Sequence, residues 1–117
     1  INDIGIQMQV DLYEELNACG HIDAIIDADE LLMNPKSVLK QLCDKLDISF
    51  QDNMLKWKKG GRIEDGIWAK YWYSSLHQSS GFLPYRKRNI RLSGSNLDLA
   101  GRCESLYSYL YEKSIKA

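Results

Sequence analysis

Residues 56–82 hold all three tryptophans of the chain and its densest set of glycines and cations. Lys58, Lys59 and Arg62 offer positive charge, and a guanidinium adds a bidentate contact to a phosphate. Gly60, Gly61 and Gly66 permit positive φ and close approach of backbone amides to an anion, and Trp68 sets a flat ring at the end of the loop. Together these residues suit a phosphorylated, base-containing ligand. Gly61 and Gly66 have the G-x-x-x-x-G spacing of a phosphate loop, but Ile67 and Trp68 follow where Lys-Ser/Thr is required, so this is not a Walker motif. His77 and Ser79 could also touch a ligand, although capping and surface roles are the commoner reading. Tyr85, Arg86, Lys87, Arg88, Asn89, Ile90 and Arg91 pack four cations into seven residues, a solvated run or a flap over an anion; nucleic-acid contact is the weaker reading.

Metal chemistry is not indicated. Cys19, Cys43 and Cys103 form no Cys-x-x-Cys pair, and His21 and His77 stand alone, so the cysteines read as reduced core thiols. The 117 residues, 44% apolar and 10% aromatic, are enough for one domain or domain fragment with a core. No window reaches the roughly 18 apolar residues of a membrane span and no signal peptide is visible, so the expectation is a soluble intracellular protein, cytoplasmic and without membrane contact. The chain opens inside an apolar pattern without a methionine, as a fragment or processed chain does. A net charge of −1 conceals −8 over residues 1–55 and +7 over residues 56–117. The halves either attract one another or the second meets an anion.

The elements that would position the loop follow from periodicity. Ile6, Val10, Tyr13 and Leu16 predict a helix from about Ile6 to Ala18, with Gly20 as its C-terminal stop. The β-branched run over residues 22–28 predicts a strand of a parallel sheet, ending in Asp27 and Asp29. Those two acids would lie where α/β folds bind ligands, or simply cap and solvate the next helix. A helical turn over residues 29–33 stops at Asn34-Pro35, which opens a helix to about Leu46 on the stripe Val38, Leu39, Leu42, Cys43 and Leu46. Asp52 can cap a short helix through Trp57. From Gly66 to about Ser80, Trp68, Trp72 and Leu76 at i, i+4 and i+8 predict a helix with an aromatic core face. Asn96 or Asp98 would cap a last helix bearing Leu99, Cys103, Leu106 and Leu110.

This ordered set resembles the C-terminal part of sulfotransferase-like P-loop proteins, including the branch named as aminotransferase-like. The resemblance rests on Asp-Ala-Asp-Glu-Leu-Leu (residues 27–32), Asn-Pro-Lys-Ser-Val-Leu (34–39), Met-Leu-Lys-Trp-Lys-Lys-Gly (54–60), Glu-Asp-Gly-Ile-Trp-Ala-Lys-Tyr-Trp-Tyr (64–73) and Ser-Ser-Gly-Phe (79–82). It implies a three-layer α/β fold, represented here by about five helices and one or two short parallel strands. It also implies 3′-phosphoadenosine 5′-phosphosulfate (PAPS) as donor, with its product adenosine 3′,5′-bisphosphate (PAP), and a hydroxyl or amine acceptor. Lys58, Lys59, Gly60, Gly66 and Trp68 look like the family's basic loop for the donor's 3′-phosphate; Gly61 and Arg62 join them on chemical grounds. The family's phosphosulfate loop and catalytic base would come from an upstream portion, so no catalytic residue is assigned and the chain alone should be inactive. The competing expectation is a non-catalytic helical module for protein interaction. Neither the acceptor nor an oligomeric state is specified by the sequence.

Overall fold

The computed structural model describes residues 4–87 and 89–117; Arg88, part of the basic run, lies outside them. Among the described residues six helices are formed: α1 (Ile6–Ala18), α2 (Ala28–Met33), α3 (Pro35–Lys45), α4 (Ala69–Trp72), α5 (Ser74–Gln78) and α6 (Ser95–Tyr111), with 3₁₀ turns at Asp52–Leu55 and Ile63–Asp65. The chain is mostly helical, as expected, with one helix more than the expected five. It divides into two compact units, residues 1–27 with 86–116, and residues 28–85 with Ala117.

In the first unit α1 packs on α6, with the Tyr13 and Tyr109 rings edge to face at 6.0 Å. The predicted bounds of α1 hold, and its end shows why. Gly20 takes φ 70°, its N–H bonds to Asn17 O and the His21 N–H reaches back to Leu16 O at 2.9 Å, the paired bonds of a Schellman stop. Cys19 sits at that stop exposed, against the expectation of a core thiol, whereas Cys43 is buried and Cys103 is half-buried.

The predicted strand over residues 22–28 is reduced to one parallel pairing, Ile26 with Ile115, in which Ile115 N–H donates to Ile25 O at 2.9 Å. A β-branched run forms a strand only where a partner continues beside it, and among the described residues Ile115 alone does so. Asp27 accepts a hydrogen bond from Tyr107 Oη at 2.8 Å. α6 begins at Ser95 behind Gly94, so neither Asn96 nor Asp98 is its cap; Asp98 lies in the first turn, where its charge suits the helix dipole.

The second unit starts with α2 against α3. Asn34 caps α3 by accepting the Ser37 N–H at 3.2 Å, and Pro35 occupies the first turn, as predicted. α3 buries Val38 completely, and the Cys43 thiol lies 3.8 Å from the Met54 sulfur. Asp52 does not cap; it pairs with Lys36 at 3.0 Å while Gln51 precedes the 3₁₀ turn. Asp29 falls in the first turn of α2 and accepts from Tyr85 Oη at 3.2 Å.

After the 3₁₀ turn, Lys56 pairs antiparallel with Gly81, and Trp57 N–H donates to Ser80 O at 3.2 Å. This short ladder closes the segment between into a loop. The continuous helix expected from Gly66 to Ser80 is broken in two. Gly66 holds φ 73° and ψ −174°, which delays the start to Ala69, and Tyr73 at φ −104°, ψ 14° separates α4 from α5. Aromatic and serine residues favour a helix weakly, and neither piece buries a face that would hold it continuous.

Candidate functional site

The base of the loop is a Trp57 anchor. Its indole packs edge-on against Phe82 at 5.4 Å and donates Nε1–H to Ser79 Oγ at 2.8 Å, while Ser79 Oγ–H donates to Leu76 O at 2.7 Å. Ser79 thus supports the loop from below. Gly60 takes φ 112°, a conformation that only glycine adopts without strain, and its N–H donates to His77 O at 2.8 Å. A Cβ on Gly61 would lie 3.1 Å from His77 Cε1, so glycine there lets the loop settle directly onto the imidazole.

Asp65 ties the loop's far side. One of its carboxylate oxygens accepts both the Arg62 backbone N–H at 2.7 Å and His77 Nε2–H at 2.8 Å. The two side chains are only 20% and 25% exposed. The Arg62 amide first, and His77 second, hold the Asp65 carboxyl below its ordinary 3.8, so it stays ionised through the neutral range.

These contacts border a cavity of about 310 Å³ lined by Trp57, Lys58, Gly60, Arg62, Asp65, Leu76 and His77. Of the seven residues expected at the site, Lys58, Gly60 and Arg62 meet there. Lys59 lines a separate cleft of about 780 Å³ with Lys36, Lys56, Ser79 and Phe82. Gly61 rests on His77, and Gly66 and Trp68 lie outside both cavities. The core reading of the aromatic stripe is not what the structure shows. Trp68, Tyr71 and Trp72 are 63%, 66% and 75% exposed, with Trp68 and Tyr71 tilted together at 6.4 Å.

Asp65 and Trp57 are not among the site residues the sequence points to, and for His77 it favours a capping or surface role. No spacing rule links a histidine to an acid twelve residues before it across a broken helix. The available signal was the oddity of an acid inside a basic glycine loop, which calls for a nearby donor.

A family model described as a sulfotransferase domain matches residues 1–93. The chain belongs to the sulfotransferase family. Within it, the chain is similar to two Arabidopsis thaliana proteins, branched-chain-amino-acid aminotransferase-like proteins 1 and 2. It is 44% identical to the first over 108 residues, 92% of this chain and 20% of that protein. Identity to the second is 42% over 109 residues, 93% of this chain and again 20% of the relative. This sulfotransferase-family chain therefore spans about one fifth of the length of these relatives. No solved structure matches it. Among the described residues no helix is long and apolar enough to cross a membrane.

Proposed function

We propose that the loop over residues 58–68 holds the 3′-phosphate of PAPS in a sulfotransferase whose phosphosulfate loop and catalytic base are supplied by an upstream portion of the same protein. The observation that carries this reading is the small cavity in which Lys58, Arg62 and the positive-φ Gly60 converge. Its volume is at the lower end of the range of about 300–1,000 Å³ typical of ligand sites, room for a phosphate and part of a nucleoside. The residues present fit the group: two cations, an apolar wall from Trp57 and Leu76, and an acid whose charge two N–H donors already compensate.

The bound donor supplies a sulfuryl group for transfer to a hydroxyl or amine acceptor. Arg62 and Lys58 neutralise the 3′-phosphate, and Lys59 adds to the local positive potential. Gly60 keeps the backbone free of a side chain where the phosphate approaches, Gly61 lets the loop settle on His77, and Trp57 fixes the loop's base. Gly66 and Trp68 close the loop and present ring surface outward. Holding the phosphate at a fixed place would orient the donor toward its acceptor.

The larger fold in this reading is the three-layer α/β P-loop architecture. The single parallel pairing of Ile26 with Ile115 would be extended by strands from the rest of the protein, and the exposed Ile63, Ile67, Trp68 and Trp72 would be covered by it. The alternative of a self-contained interaction module calls for a complete core. The buried apolar residues described are Val38, Cys43 and Ile115, which do not favour it.

The test is titration of the full-length protein with PAP. Arg62→Ala and Lys59→Ala should each weaken binding, Arg62→Ala by about tenfold or more, because a charge-assisted contact is worth roughly 1.5–3 kcal/mol. Unchanged affinity in both variants would overturn the assignment.

A further inference from the structure

An anion site with a carboxylate in its wall presents a contradiction. Asp65 lines the same cavity as Lys58 and Arg62 and is ionised at neutral pH. Left bare, it would repel a phosphate and offset one of the two cations. The geometry shows how the repulsion is contained. Both donors to Asp65, the Arg62 amide and His77 Nε2, converge on one carboxylate oxygen and offset part of its charge.

His77 does more than neutralise. Its carbonyl receives the Gly60 N–H and its ring lies beneath Gly61, so one residue meets the loop at Gly60, Gly61 and Asp65. It is itself braced: its N–H donates to Tyr73 O at 2.8 Å and the Tyr73 ring stands edge-on to the imidazole at 6.1 Å. A donor to Asp65 and a flat ring under Gly61 meet here, and histidine combines them in one rigid side chain.

We propose that His77 is the positioning residue of the anion loop: its Nε2–H masks Asp65 from the bound phosphate while its ring and carbonyl fix Gly60 and Gly61. The inference rests on the reading of this loop as the 3′-phosphate site. His77 also lines the cavity, and the role assigned to it is to hold the loop and Asp65 rather than to bind the phosphate.

Three variants of the full-length protein, titrated with PAP, separate the two duties. His77→Phe keeps a ring under Gly61 and removes the donor; affinity should fall about tenfold, the scale of one charge-assisted hydrogen bond. His77→Gln keeps an N–H at the same reach and should recover most of that loss. Asp65→Asn, placed on the His77→Phe background, should raise affinity again, because no bare carboxylate is left to mask. A residue that only supports the architecture would give the opposite sign, with Asp65→Asn weakening the His77→Phe protein further. That result, or wild-type affinity in His77→Phe, would overturn the proposal. If Arg62→Ala weakens binding while His77→Phe does not, only the role of His77 falls; if neither does, the site itself falls.

Discussion

Replacing Trp57 tests whether the loop is held from its base. Two amides report its closure, Trp57 N–H on Ser80 O and Gly60 N–H on His77 O. Trp57→Phe retains a ring against Phe82 but loses the Nε1–H bond to Ser79. Ser79 still donates to Leu76 O, so no hydroxyl is stranded and the loss is that of one neutral hydrogen bond, about 1 kcal/mol. Trp57→Ala removes the ring as well. A buried Trp→Ala change costs roughly 3–5 kcal/mol, and for a half-buried ring about 2–3 kcal/mol is the appropriate scale. Hydrogen–deuterium exchange of peptides covering residues 55–62 reads these energies as opening equilibria. Exchange should accelerate about fivefold in Trp57→Phe and on the order of fiftyfold in Trp57→Ala. Unchanged exchange in Trp57→Ala would refute the anchor, and equal acceleration in both variants would show that the indole N–H, rather than ring packing, carries it.

Other expectations follow from single contacts. Asn34→Ala removes the cap that accepts Ser37 N–H and should destabilise α3 by about 1 kcal/mol, seen as faster amide exchange in its first turn. Tyr109, hydrogen-bonded to Glu14, is pushed up to about 12 by that bond and by burial. A raised value means the contact stabilises fully below pH 10 and is lost as pH rises through about 12; phenolate absorbance should show Tyr109 titrating late, and Glu14→Gln should return it toward 10. A thiol reagent should modify exposed Cys19 first, half-buried Cys103 more slowly and buried Cys43 only on unfolding, as peptide mapping would show.

What could be read from the sequence was local. α1 is set by an apolar stripe and a glycine that takes the left-handed stop, and α3 by an Asn-Pro start, all within one helical turn of each other. The basic loop was legible for the same reason, since lysines and glycines declare themselves by type. The misread features depend on partners distant in sequence. Residues 22–28 look like a strand, but pairing is decided by Ile115, almost ninety positions away. The aromatic spacing after Gly66 looks like a core face, yet burial needs a surface to pack against, and Trp68, Tyr71 and Trp72 have none among the described residues. The Asp65–His77 contact escaped because side-chain pairing across a turn leaves no periodic trace.

Recognition of a 3′-phosphate by this loop is measured most directly as the affinity of the full-length protein for PAP relative to adenosine 5′-monophosphate. The wild type should prefer the bisphosphate by about a hundredfold, the scale of two charge-assisted contacts, and the Lys58→Ala, Arg62→Ala double variant should lose most of that preference. Equal affinity of the wild type for the two nucleotides would show that the loop does not recognise the 3′-phosphate.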